Sequence, residues 1–326
     1  MSNSVALAEV WRGPFMESVH RGHAVVCDDS GQIVHAWGDP HAVVLPRSSS
    51  KMIQALPLIE SGAADAFGLG TEQLALACAS HNGAAIHTDR VTKWLDHLGL
   101  SDDDFRCGPQ EPDDREARNA LIRAHECPCQ MHNNCSGKHS GFLTLNKHLG
   151  AGPDYVEPDH AVQRACLEAF ERVTGESSPG FGIDGCSAPN YATSLHGMAR
   201  AMSHFAAAPT GSAEERLRTA MTLHPDLVAG EGRACTNLMR AMGGKVAIKT
   251  GAEAFFIAII PELKMGVALK IEDGGTRAAE CAIAAILVKL GVLEADHPET
   301  LKYLNAPIRN RRDLITGYVR AAPALI

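Results

Sequence analysis

Ser48 and Lys51 stand in an S-x-x-K spacing, which at a helix start puts hydroxyl and amine on one face. A serine hydroxyl is a weak nucleophile until a base takes its proton, and a desolvated lysine amine can be that base. The same four residues also describe an N-cap serine followed by a surface lysine. Lys249-Thr250-Gly251, far downstream, adds weight, because S-x-x-K followed by K-T-G marks acyl-enzyme serine hydrolases. The intervening S-D-N element is absent. Its nearest polar substitute, Ser80-His81-Asn82, sits closer to the first serine than a penicillin-binding enzyme would place it.

A second constellation is Asn133-Asn134-Cys135-Ser136-Gly137-Lys138-His139 together with Gly182-Ile183-Asp184-Gly185-Cys186. Each carries a thiol in a glycine-rich loop that bends tightly. Two thiolates with nearby nitrogen donors suit a soft divalent ion such as zinc. The spacing matches no common zinc ribbon, so a nucleophilic Cys135 beside His139, or a pair of unremarkable core thiols, also stands open. Asp184 is a natural binder of an ammonium group, and Arg47 could grip a carboxylate in a fork. An amino acid carries both groups. Glu231, in the glycine-flanked run Val228–Arg233, could serve the same pocket. Each of these also has a plainer reading as a turn or surface residue, and His97, His204 and His224 read as helix-surface histidines.

These residues need a scaffold, and the 326-residue chain is long enough to supply one. Two strand-like runs, Val19–Cys27 and Ile33–Trp37, flank the turn Asp28-Asp29-Ser30-Gly31. A helical pattern then runs from about Ser49 to Ser61, placing Ser48 where a loop meets a helix N-terminus, a setting that suits an oxyanion. The middle reads as helical, with patterns at Thr71–Ala79, Thr88–Leu98, Phe142–Leu149, Val162–Val173, Leu195–Ala207, Ser212–His224 and Cys235–Met242. Three further strand-like runs follow at Lys245–Lys249, Ala254–Ile260 and Met265–Ile271, then an apolar helix to about Leu290. The fold class is therefore α/β of the α+β kind: a mostly antiparallel sheet from the two chain ends beside a helical insert. We read residues 1–326 as one domain, with the sheet layer from about 10–45 and 243–326 and the helical layer from about 46–242.

A formal net charge of −8 excludes the clustered basic surface that nucleic acid requires. No apolar run approaches a membrane span. Met1–Gly13 has no basic start followed by an apolar core, so the expected location is cytoplasmic. In that reducing setting the ten cysteines are not a disulfide framework; Cys27, Cys78, Cys166 and Cys281 read as buried small hydrophobes, and Cys127-Pro128-Cys129 as structural.

Six ordered motifs carry a resemblance. Pro46–Lys51, Cys78–His81, Asn134–His139, Asp184–Cys186, Val228–Arg233 and Lys270–Gly274 resemble those of the rhizobial-type L-asparaginases, the asparaginase II family. The likeness runs from about residue 10 to 290. It implies a fold similar to serine β-lactamases and glutaminases, and hydrolysis of L-asparagine to aspartate and ammonia. It further implies two Ser–Lys tandems, Ser48 with Lys51 and Ser80 with Lys249; a Zn2+ ion held by Cys135, Lys138 and Cys186; substrate binding by Arg47, His139, Asp184 and Glu231; and a homodimer. Lysine is an unusual ligand, since only the neutral amine offers a lone pair. The alternatives are a glutaminase, one methylene away in substrate, a β-lactam-type hydrolase, and a zinc-containing binding protein without turnover.

Overall fold

A computed structural model of the chain describes residues 3–326; Met1 and Ser2, part of the N-terminal reading, lie outside them. Twelve strands form, in chain order: β1 Val5–Arg12, β2 Phe15–Cys27, β3 Ile33–Trp37, β4 Val43–Val44, β5 Phe181–Ile183, β6 Pro189–Tyr191, β7 Thr193–Ser194, β8 Ala247–Gly251, β9 Phe255–Ile260, β10 Met265–Ile271, β11 Ala306–Arg309 and β12 Ile315–Ala321. Eight of them make one antiparallel sheet in the order β11-β12-β1-β2-β10-β9-β8, with β3 hydrogen-bonded to β2 beyond this path. Strands from the two chain ends thus lie side by side. The β2–β10 pairing, Val26 opposite Val267 and Ala24 opposite Leu269, is the seam between them.

All six residues of β9 are fully buried, so both faces of the sheet centre are covered, and its unbroken Phe-Phe-Ile-Ala-Ile-Ile run is what such a position demands. Helices Leu195–Ala207 and Thr276–Lys289 pack against it. The first of these spans the predicted residues. The expected helix from Ser49 to Ser61 is instead two short pieces, Lys51–Gln54 and Leu56–Glu60, after a 3-10 turn at Arg47–Ser50. Pro57 has no N–H to return to the preceding turn, and the helix breaks there.

The remaining helices supply the walls of the site. Thr71–Ala77 delivers the chain to Ser80. Ser136–Leu149 starts six residues before the predicted pattern, with Cys135 at its N-cap position, so Lys138 and His139 are helical residues rather than loop residues. The β5–β6 hairpin carries Asp184 and Cys186 in its turn, closed by the Ser187 N–H to the Asp184 carbonyl at 2.9 Å. No helix among the described residues is long and apolar enough to cross a membrane.

Candidate active site

The Arg47–Ser50 turn packs against β8, the strand ending in Lys249-Thr250-Gly251. Ser49 is fully buried and donates its Oγ hydrogen to the Lys249 carbonyl at 3.1 Å. Ser50 Oγ donates to the Arg47 carbonyl at 2.9 Å. Just before these two anchored hydroxyls, Ser48 is half-buried and its hydroxyl forms no hydrogen bond among the described residues. Arg47 itself has φ 52°, a left-handed backbone that a non-glycine residue keeps only where its surroundings hold it.

The first expected tandem is not joined by a hydrogen bond. Lys51 is buried as expected, but its Nζ donates to the Ala79 carbonyl and to Cys135 Sγ, the latter at 3.1 Å. The S-x-x-K spacing assumed a regular helix from residue 49; a 3-10 turn leading into a short helix leaves the amine pointing across to the neighbouring segments instead. The second tandem is formed. Lys249 Nζ lies 2.9 Å from Ser80 Oγ and 2.8 Å from the Thr250 carbonyl. Ser80 is fixed in turn by its N–H to the Val228 carbonyl at 2.9 Å. Lys249 is completely buried. Burial first, and the charge of Lys51 second, push its pKa down to about 7.

The thiols gather beside Lys51. Cys135 and Cys186 act as one pair: the hydrogen bond from Cys135 holds the Cys186 thiol well below the usual range, while that bond and burial hold Cys135 above it. Lys138 Nζ donates to Cys186 Sγ at 3.0 Å. Burial works against the charge of Lys138, but the two sulfurs outweigh it and raise its pKa. Cys135, Lys138 and Cys186 are therefore brought together as the resemblance implied. Two sulfur donors suit a soft divalent ion, and the set fits one provided that Lys138 gives up its proton on binding. Among the described residues no cluster of three or more His, Cys, Asp or Glu side chains offers a metal site.

Arg47 and Asp184 meet each other. Arg47 Nε and Nη2 both donate to Asp184 Oδ1, at 3.0 and 2.7 Å. Burial opposes the charge on Asp184, yet with the Arg47 hydrogen bond its pKa ends below the ordinary value. The reading that gave these residues separate substrate groups is thereby altered, since each head group already holds the other. Glu231 is also corrected: it is exposed, and its carboxylate is gripped by Arg240 at 2.7 and 2.8 Å.

His139 is fully buried, and the residue that defines its role is Tyr155, which sequence reading missed. Tyr155 Oη accepts the Arg106 N–H at 2.9 Å and is hydrogen-bonded to His139 Nδ1 at 2.8 Å. The other ring nitrogen, Nε2, is buried and has no hydrogen-bond partner within bonding distance among the described residues, and the Cys186 side chain acts on the ring. His139 thus keeps one ring nitrogen uncommitted. No motif marks Tyr155; only the buried contact does. Cys27, Cys78, Cys166 and Cys281 are buried and free as expected, while Cys127 is exposed.

Over residues 8–321 the chain matches the family model described as L-asparaginase II. No curated protein matches it. Among solved structures, the chain is similar to a β-lactamase from Mycobacterium bovis, at 13% identity over 82% of this chain and 94% of that one, with a TM-score of 0.44. It is also similar to Mglu in its tris and glutamate form, at 12% identity over 90% of this chain and 64% of that one, with a TM-score of 0.46.

Proposed function

The chain belongs to the L-asparaginase II family, and we propose that it hydrolyses the side-chain amide of L-asparagine to L-aspartate and ammonia through a serine activated by a buried lysine. The observation that carries this reading is Lys249: an amine with a pKa of about 7, completely buried, 2.9 Å from a serine hydroxyl. A lysine of ordinary pKa is charged at neutral pH and cannot take a proton; one near 7 is matched to the task.

In the proposed sequence Ser48 attacks the amide carbon, since it is the unanchored hydroxyl on the open side of the turn. Its proton passes to lysine, with Lys51 the family's expected acceptor. Ser80, coupled to Lys249, then delivers a proton to the departing ammonia and takes one from the hydrolytic water. His139 Nε2, the uncommitted ring nitrogen, is available to hydrogen-bond the substrate. Backbone N–H groups near Ser48 would stabilise the oxyanion, typically worth roughly 2.7–4 kcal/mol per donor. Cys135, Lys138 and Cys186 would hold the zinc ion that the family implies; bound there, it would supply a positive charge near the substrate.

A second reading is favoured by the Ser80–Lys249 contact itself: Ser80 attacks, and Lys249 is its direct base. Acid-quenching the enzyme during turnover of a slow amide and mapping the acyl group by mass spectrometry separates the two. Acylation of Ser48 supports the first order and acylation of Ser80 the second. Absence of ammonia release from asparagine, beside glutamine as the comparison substrate, would sink the hydrolytic reading altogether. Glutamine turnover within tenfold of asparagine would make the enzyme a general amino-acid amidase.

A further inference from the structure

The segment Lys270-Ile271-Glu272-Asp273-Gly274 has no part in the chemistry above. It ends β10 and, with the turn between β8 and β9, walls a cleft of about 750 Å³ beside Arg47, within the size range of small-molecule sites. Val43 and Leu45, both exposed, give the cleft an apolar wall. Arg47 joins it to the turn that carries Ser48.

The two charged segments are built onto each other. Lys270 Nζ donates to the Glu253 carbonyl and, at 2.6 Å, to the Ile271 carbonyl. The Ile271 N–H meets the Ala254 carbonyl at 3.1 Å. Gly274 has φ 75°, a left-handed backbone that favours glycine. Glu253 and Ala254 are both left-handed, at φ 58° and 57°, as is Arg47 across the cleft. Strained backbone of this kind concentrates where ligands are held.

The polar groups then divide by what they have left to offer. Glu272 is engaged by Ser4 Oγ at 2.9 Å and faces His23 Nε2 at 3.4 Å. The Glu253 carboxylate is exposed and accepts no hydrogen bond among the described residues. Lys270 has three donor hydrogens and spends two on carbonyls, and Arg47 keeps its Nη1 edge beyond the Asp184 pair. One open carboxylate therefore stands opposite two cations with donors to spare.

An α-amino acid presents an ammonium and a carboxylate on a single carbon. We propose that this cleft binds the α-ammonium and α-carboxylate of the substrate, Glu253 taking the ammonium and Lys270 the carboxylate, so that the side-chain amide extends past Arg47 towards Ser48. The proposal rests on the amide-hydrolysis reading and names the substrate contacts of that site. It moves the ammonium from Asp184, which Arg47 occupies, to a residue no motif singled out.

The test deletes the contact from both sides. Ammonia release by the full chain is measured with asparagine, with succinamate, which lacks the α-amino group, and with 3-aminopropanamide, which lacks the α-carboxylate. Glu253→Gln is expected to raise KM for asparagine about ten- to hundredfold with kcat nearly unchanged, the usual range for a hydrogen bond to a charged group. For succinamate the ratio of wild type to variant falls towards one. Lys270→Met is expected to penalise asparagine and succinamate but not 3-aminopropanamide, and Lys270→Arg, which keeps the charge, to recover most of the loss. An unchanged asparagine KM in Glu253→Gln overturns the proposal, as does an equal penalty on asparagine and succinamate. Failure of the wild type to release ammonia from any of the three would instead overturn the hydrolytic reading. Calorimetric titration of L-aspartate into Ser48→Ala then tests the cleft alone: weaker binding when Glu253→Gln is added supports it, and equal binding overturns it.

Discussion

Two serine–lysine pairs of the same composition stand a few residues from the same thiols, and they are in opposite states. Ser48 and Lys51 are neighbours in sequence, yet the amine is turned to the Ala79 carbonyl and Cys135 Sγ. Ser80 and Lys249 are 169 residues apart and are hydrogen-bonded at 2.9 Å. Burial alone does not distinguish them, since both lysines are sequestered. What differs is company. Lys51 has a sulfur to donate to, whereas Lys249 faces a neutral hydroxyl, a carbonyl and the charge of Lys51. Burial first, and the like charge of Lys51 second, push the Lys249 amine down. The primed base is therefore the partner found across the fold.

The largest expected effect tests that contrast directly. Lys249→Met should lower kcat by about 10²–10⁴, the usual range for a general base, measured as ammonia release. The same variant is expected to melt at a higher temperature than wild type at pH 6, because it removes a charge that burial disfavours. The pH dependence of stability has a definite sign. Lys249 titrates near 7 when folded and near 10.5 when unfolded, so between those values the unfolded chain binds the extra proton and stability contributed by this residue rises with pH. Its cost is fully present below about 7. Activity moves the same way: kcat/KM is expected to rise as pH passes through about 7, and this rising limb should vanish in Lys249→Met.

Ser48→Ala and Ser80→Ala come next. If Ser48 attacks, its loss abolishes the acyl-enzyme, while Ser80→Ala slows its formation and breakdown by a smaller factor; the reverse ranking would make the bonded pair the whole machine. Lys51→Met should cost less than Lys249→Met in the metal-free protein, since Lys51 is not bonded to its serine; equal losses would break the comparison. The smallest change is expected from Cys135→Ala. It takes away the sulfur that Lys51 donates to, and should shift the pH profile of kcat/KM by less than removing either lysine does.

Much of the scaffold was legible because its signals are local. The strand β10 and the helix Leu195–Ala207 follow from apolar periodicity, and Pro57 foretells a break that the pattern reading overlooked. The start of the helix at Ser136 was obscured by Gly137, a poor helix former. Its reason lies elsewhere in the chain: a Cβ at residue 137 would come within 2.4 Å of the Leu76 carbonyl oxygen, so the glycine records a close crossing. The same limit explains the strands that went unread. β1 alternates only weakly between buried and half-buried positions, and β11 and β12 are short, half-exposed runs around the basic Arg309–Arg312 stretch. Within the site, residue types and motif positions identified the serines, lysines and thiols. Who bonds to whom was not legible. Glu231 sat in a motif and faces outward to Arg240, whereas Tyr155, without a motif, holds His139 Nδ1.

The β2–β10 seam carries a consequence for how the molecule is made. The partners of β2 in β1 and β3 all lie within the first 37 residues, but its place beside β10 is filled only when residues roughly 240 positions later have been synthesised. At ordinary translation rates of about 5–20 residues per second that interval is on the order of 12–50 seconds. During it the Gly22–Cys27 stretch, fully buried at Ala24–Cys27 in the finished molecule, presents an apolar, unpaired edge. Lys249 arrives on the strands that close this gap, so the base and the sheet that buries it are completed in the same late event, and a nascent chain without them exposes an edge open to mispairing and no working catalyst.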